Sequence, residues 1–170
     1  DIEEYLAGAP FDTSGLPLIL MPTTSGTGSE VSPFIVFSDE ERKLFQRSPF
    51  LMSTVALVDP LLTTTMPPAV TAATGLDALS HAVEGAQSAV NPFTQAMATE
   101  CVGLVFNYLP RAFRDGEDLE ARYYLSFASV IAMMAFSQGG GLYAHSISYL
   151  LTTYFNRPHG IGCGIALPYT

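Results

Sequence analysis

The sequence predicts a short α/β region followed by a longer all-α region, with the change near residue 66. Three observations carry that division. Before residue 66, short apolar runs alternate with turns marked by proline and glycine. After Met66-Pro67-Pro68, apolar residues recur at helical spacing. The chain has 170 residues, 48% of them hydrophobic, which is enough to bury a substantial core.

In chain order, Leu18-Ile19-Leu20-Met21 is a continuous apolar run between Pro17 and Pro22, and it predicts a short buried strand. A loop of small, hydroxyl-bearing residues follows, Pro22-Thr23-Thr24-Ser25-Gly26-Thr27-Gly28-Ser29-Glu30. Val31 to Ser38 reads as a second strand, at a sheet edge because Pro33 has no N–H to give a neighbour. Asp39-Glu40-Glu41-Arg42-Lys43 reads as an exposed turn, and Thr54 to Asp59 as another strand, ended by Pro60. Pro67 or Pro68 then occupies the first turn of a helix, where a missing N–H is harmless. Helices are expected over 67–88, 93–114, 117–137 and 141–155. The breaks between them are Asn91-Pro92, Asp115-Gly116, Gly139-Gly140-Gly141 and Pro158.

Composition narrows the class. A net charge of −9 and only seven Lys plus Arg leave no basic stripe to neutralise phosphates, which excludes nucleic-acid binding. Charged residues make up 14%, and the mean hydropathy is +0.29. Such an apolar chain is expected to be covered by the rest of a larger polypeptide or by a second copy in a homo-oligomer. The longest apolar run, Val130 to Phe136, falls far short of the ~20 residues that span a bilayer. No membrane partner is expected, and no signal-peptide pattern opens the chain. Cys101 and Cys163 are too few for a disulfide scaffold, so both are expected as reduced thiols in a cytoplasmic protein. Cys163 lies near His159, in Gly160-Ile161-Gly162-Cys163-Gly164, although a buried, inert cysteine is the commoner case.

The chain has three histidines. His81 follows Asp77 by four residues, so the two project from one helix face, one turn apart. His145 and His159 come later. Asp, His, His and His suit Fe²⁺ or Zn²⁺ better than an ion that demands thiolate. Spacing alone serves equally well for a hydrogen-bonded Asp77–His81 helix pair. If the histidines share an ion, a further demand follows. His145 and His159 are 159 − 145 = 14 steps apart, ~21 Å along one straight helix, so the chain must reverse at Asn156-Arg157-Pro158. The Thr/Gly loop is the second candidate, since backbone N–H groups and Thr hydroxyls there can approach an anionic group. It is neither a dinucleotide fingerprint nor a P-loop.

These stretches together, from Pro22 to Val31, Asp59-Pro60, Thr74 to Glu84, Asn91-Pro92 and the two later histidines, resemble the iron-containing (group III) alcohol dehydrogenase family. The resemblance implies a metal held by Asp77, His81, His145 and His159. It implies dinucleotide contacts at Thr23, Thr24 and Thr27 and, by a looser alignment, at Ser32, Phe34, Lys43 and Leu62. Residues 1–65 would then be the C-terminal part of a Rossmann-like dinucleotide-binding domain, and 66–170 the N-terminal part of a helical metal-binding domain. The implied activity is metal-dependent, NAD(P)-linked interconversion of an alcohol and an aldehyde or ketone, with Fe²⁺ the first choice of ion and Zn²⁺ admissible.

Two departures from the family pattern stand out. Many members carry a further histidine four residues beyond the third ligand, where this chain has Tyr149. A phenol with a pKa near ~10 is a poor proton shuttle at neutral pH, so Tyr149 reads first as a packing residue. Members also begin with a Gly-Gly-Gly-Ser pyrophosphate loop and end with more helices, so the sequence is expected to be a central segment, inactive by itself. A zinc enzyme of the glycerol-dehydrogenase or dehydroquinate-synthase type is the alternative within enzymes, and a non-catalytic, metal-stabilised helical module the alternative outside them.

Overall fold

The structure, a computed structural model, describes residues 4, 5, 7–38, 43–88, 91–139 and 143–170, with the backbone alone at 37, 38, 43 and 44. The first third holds two small sheets. Strand β1 (Ile19–Leu20) pairs in parallel with β4 (Val55–Ala56), Ile19 against Val55. Strands β2 (Phe34–Ser38) and β3 (Lys43–Arg47) form an antiparallel hairpin, with Phe34 opposite Arg47 and Ser38 opposite Lys43.

The expected strand over Val31–Ser38 is shorter than its apolar pattern. Gly28 turns the backbone to φ 59°, a 3-10 helix takes Ser29–Val31, and the strand begins only after Pro33. Lys43, expected in a turn, opens β3 instead; residues 39–42 lie outside the described residues. The β3 segment, Lys-Leu-Phe-Gln-Arg, has too few apolar residues to announce a strand alone. The partner that gives it a ladder is β2.

The helical part follows the punctuation closely. Helix α1 runs Pro68–Ser88, α2 Pro92–Arg114, α3 Leu119–Phe136 and α4 Tyr143–Phe155. The Asn91 side chain caps α2, accepting from the Thr94 N–H at 3.0 Å, and Pro92 takes the first position. Asp118 caps α3 by accepting from the Ala121 N–H at 3.0 Å. Of the glycine break before α4, residues 140 and 141 lie outside the described residues. Helix α4 stops at Phe155, and Asn156 reverses the chain with φ 50°.

A fifth helix, α5 (His159–Ala166), was not expected, because Gly160, Gly162 and Gly164 are poor helix formers. Packing overrides that preference. A Cβ at Gly160 would stand 1.9 Å from the Ala73 carbonyl oxygen, so α5 lies directly on the α1 backbone.

The core joins α1, α2 and α3 through small side chains, among them Ala78, Ala82, Ala98, Cys101, Ala128 and Ala132, with Val105 and Leu125 filling between. Small residues at the contact let helix axes approach closely. The fully buried Arg122 ties the corner together, donating to the Gly116 carbonyl at 2.9 Å and to Thr71 Oγ1 at 2.9 Å. The Thr/Gly loop docks on the same bundle. Ser25 and Ser126 share a hydrogen bond of 2.9 Å, and a Cβ at Gly28 would stand 2.3 Å from that of Met133. No helix among the described residues is long and apolar enough to cross a membrane.

Candidate metal centre and the adjoining cavity

Helix α1 carries a buried polar stripe through its middle. Asp77, His81 and Glu84 stand at positions i, i+4 and i+7 of one face, and all three are buried. The first turn of α4 brings His145 against this stripe, and the start of α5 brings His159. The reversal at Asn156 places the His145 and His159 rings 5.3 Å apart, in place of the span of a straight helix.

Asp77 Oδ1 lies 3.6 Å from His145 Nε2 and 3.7 Å from His159 Nε2. Both distances are too long for hydrogen bonds. Asp77 Oδ1 and His145 Nε2 are shut off from solvent, and neither has a hydrogen-bond partner. Leaving such an atom unsatisfied costs about 1–3 kcal/mol. A divalent ion among these donors removes that cost, because ligands ~2.0–2.1 Å from a tetrahedral ion stand about 3.4 Å apart. The donor set therefore fits a metal.

Two neighbours fix how the histidines present themselves. Glu84 is fully buried; one oxygen accepts from the Ala144 N–H at 2.6 Å and the other pairs with His145 Nδ1. Ser148 Oγ donates to the His159 carbonyl at 2.6 Å and lies 2.9 Å from His159 Nδ1. With its one proton spent on the carbonyl, the hydroxyl accepts from Nδ1–H. In both histidines Nδ1 is thus engaged and Nε2 faces the centre. The sequence reading passed over Glu84 and Ser148, although the spacing could have found them: Glu84 follows His81 by three residues, and Ser148 follows His145 by three.

His81 stands beside the group. Its ring stacks on that of His145 at 4.5 Å and meets the edge of Phe136 at 4.8 Å, and its Nδ1 has no partner. The donors that lie within 4.8 Å of one another belong to Asp77, His145, His159 and Cys163. Cys163 is one turn beyond His159, the same i, i+4 relation that joins Asp77 to His81, and it is fully buried with Sγ 3.7 Å from His159 Nε2.

The electrostatics follow from burial and proximity. Burial by itself would raise the Asp77 carboxyl, but the nearness of the His81, His145 and His159 imidazoles holds it at about 2. Burial lowers His81 to about 4, so its ring is neutral at pH 7. Burial also opposes charge on His145, yet the nearness of Asp77 and Cys163 and the bond to Glu84 outweigh it and raise its pKa well above the usual value. Without a metal, His145 therefore keeps its second proton at neutral pH. Tyr149 stacks on His159 at 5.3 Å, and burial raises its hydroxyl, which stays protonated.

The cluster opens into a cavity of about 350 Å³. Asp77, His145 and His159 form part of one wall; Thr27, Ser32 and Phe34 form part of the other. Ser32 is buried, and its Oγ accepts from the Phe34 N–H at 3.0 Å. Thr23 and Thr24 sit earlier in the loop, and Leu62 in the 3-10 helix Pro60–Thr63; these three do not line the cavity. Lys43 begins β3, and its side chain lies outside what is described. A larger cavity of about 880 Å³ lies between Arg47, Met52, Phe93 and Met134, and its described lining holds neither histidine nor cysteine. The Asp77, His145 and His159 side chains line the smaller one.

Known proteins resemble this chain in sequence and fold. A model of the Fe-containing alcohol dehydrogenase family, C-terminal, matches residues 71–170, and one of iron-containing alcohol dehydrogenase matches residues 1–60. The chain is 42% identical over 159 residues to long-chain-alcohol dehydrogenase 1 of Geobacillus thermodenitrificans, covering 93% of the chain and 40% of that protein. It is 36% identical over 173 residues to an NAD-dependent methanol dehydrogenase of Bacillus methanolicus, covering 99% of the chain and 45% of that protein. Among solved structures, sulfoacetaldehyde reductase of Bifidobacterium kashiwanohense in complex with NAD+ superposes with a TM-score of 0.94 at 39% identity, over 99% of the chain and 46% of the reductase. The chain spans less than half the length of these relatives.

Proposed function

The chain belongs to the iron-containing alcohol dehydrogenase family, and from that membership we propose that it carries the metal-holding part of an NAD(P)-linked oxidoreductase. The reaction is hydride transfer between an alcohol and an aldehyde or ketone. Residues 1–65 would complete a dinucleotide-binding domain and 66–170 would begin a helical metal-binding domain. One observation carries the reading: two buried, unpartnered donor atoms, Asp77 Oδ1 and His145 Nε2, face each other beside His159 in a cavity that the Thr/Gly loop helps to wall.

Asp77, His81, His145 and His159 would hold the ion, Fe²⁺ first and Zn²⁺ as the alternative. His81 would contribute from beside the group, where its ring stacks on that of His145. Bound there, the ion supplies Lewis acidity at the substrate oxygen, while the nicotinamide supplies or takes up the hydride. The chain's own side chains do the rest. Glu84 and Ser148 hold two imidazoles in the orientation the ion needs. Asp77 brings negative charge that retains a cation. Phe34 and Phe136 make the cavity wall apolar and limit water. Thr23, Thr24, Thr27, Ser32, Phe34, Lys43 and Leu62 would contact the dinucleotide; Thr27, Ser32 and Phe34 already share the metal's cavity, which supports these three most directly. Tyr149 keeps its proton at neutral pH and packs on His159, which favours a positioning role over a proton shuttle.

A homo-oligomer in the cytoplasm belongs to the same proposal. Free Cys101 and Cys163 support a reducing compartment. Exposed Phe93, Phe106 and Tyr154 support burial against further protein, whether more of the same polypeptide or a second copy.

The test is metal analysis of the protein carrying this sequence, paired with NADH- and NADPH-dependent reduction of short aldehydes. Asp77→Ala combined with His159→Ala is expected to abolish both metal content and turnover. Turnover retained in that double variant would refute the assigned role.

A further inference from the structure

We propose that the smaller cavity selects straight-chain, uncharged aliphatic aldehydes and alcohols, with the hairpin residues Val36 and Phe45 receiving the far end of the chain. The inference rests on the oxidoreductase reading above and names the substrate class of that site.

The hairpin builds the wall. Side chains alternate across a strand, so Phe34 and Val36 share one face of β2. Val36 pairs directly with Phe45 on β3, and residues so opposed stand on the same side of a sheet. All three line the cavity that Asp77, His145 and His159 also line. Aromatic rings make a continuous apolar track away from the metal donors. Centroid to centroid, Phe136 lies 5.3 Å from His145, Phe34 6.3 Å from Phe136, and Phe45 5.0 Å from Phe34.

The far end of the track is open. Val36 is 46% exposed and Phe45 44%, although both line the cavity. Each added methylene of a substrate that reaches this pair leaves water for an apolar contact, a gain of about fourfold.

Charge is absent from the track. The hydroxyls of Thr27, Ser29 and Ser32 come from the loop side, and Ser32 Oγ already accepts from the Phe34 N–H at 3.0 Å. Beyond Asp77 and the three histidines, no described residue lining the cavity is an acid or a base of the Asp, Glu, Lys, Arg or His type. Arg47 sits opposite Phe34 on the hairpin, but it lines the larger cavity and donates to the Ser137 carbonyl at 3.4 Å. An anionic group at the tail of a substrate would therefore meet aromatic rings without a counter-charge.

Binding energy from a remote part of a substrate is read in kcat/KM. The metal-loaded protein carrying this sequence is given propanal, pentanal, heptanal and 4-oxobutanoate, each with NADH and with NADPH. From propanal to heptanal kcat/KM is expected to rise about fourfold per methylene, and pentanal should exceed 4-oxobutanoate by about tenfold or more. Phe45→Ala should lower kcat/KM for heptanal about tenfold more than for propanal, with metal content measured alongside. A flat chain-length series, or 4-oxobutanoate turned over as well as pentanal, would overturn this inference and leave the oxidoreductase reading standing. Equal losses on heptanal and propanal in Phe45→Ala would do the same. No turnover of any of the four aldehydes with either cofactor would overturn both.

Discussion

Gly160→Ala puts a methyl group where the α1 backbone already lies. Its Cβ would stand 1.9 Å from the Ala73 carbonyl oxygen, 2.7 Å from the Ala73 carbonyl carbon and 3.0 Å from Asp77 Cβ. Cβ contacts shorter than 3.0 Å are essentially unknown, so α5 must retreat by at least 3.0 − 1.9 = 1.1 Å. The obstacle is main chain, which cannot swing aside as a side-chain tip can. His159 rides on the same turn and would move with it, whereas metal–ligand distances tolerate only ~0.2 Å. Overpacking of this kind costs about 1–3 kcal/mol of stability, and a misplacement of ~1 Å can cost about 100-fold in a positioned site. The assay is a competitive metal titration with Zn²⁺ or Fe²⁺, run beside circular dichroism to show that the helices persist. Gly103→Ala is the control, since nothing lies within 4 Å of a Cβ there; as a helical Gly-to-Ala change it should gain about 1 kcal/mol and leave metal affinity alone. A Gly160→Ala protein that binds metal as tightly as Gly103→Ala would refute the view that helix approach sets the donor geometry.

Other expectations follow from the same contacts. Glu84→Gln keeps the shape but removes the charge that orients His145, and metal affinity should fall about 10–100-fold while far-ultraviolet dichroism stays unchanged; undiminished affinity would remove Glu84 from the site. In the metal-free protein the Asp77 carboxyl is held at about 2 against an ordinary 3.8. Its stabilisation of about 2 kcal/mol is therefore present above pH ~4 and lost as pH falls toward 2, a window in which Asp77→Asn should unfold with a flatter acid profile. Because His145 is raised and protonated at pH 7 without metal, binding must displace a proton. Affinity should tighten as pH rises, and the calorimetric heat should depend on the buffer's ionisation enthalpy; a heat independent of buffer contradicts this. Arg122→Met strands the Gly116 carbonyl and Thr71 hydroxyl in a buried corner and should cost about 2–4 kcal/mol in urea unfolding.

Much of this protein was legible in one dimension because the deciding interactions are local. Asn91-Pro92 and Asp118 start helices through bonds spanning three residues, and Pro68 opens α1 for the same kind of reason. The shared face of Asp77 and His81 follows from the helical repeat alone, and the turn after Phe155 from the need to bring two distant histidines together. What failed to show was whatever depends on partners far along the chain. Helix α5 exists against the propensity of its glycines because α1 offers a surface that only glycine can approach, and β3 is a strand because β2 supplies its ladder. Which nitrogen each histidine turns inward is decided by Glu84 and Ser148. That Cys163 lies near His159 while the His81 ring stacks on His145 likewise depends on how α4 and α5 rest on α1. Periodicity tells which residues share a face, but close packing decides which faces meet, and the identity of the donors at a point is a property of the meeting.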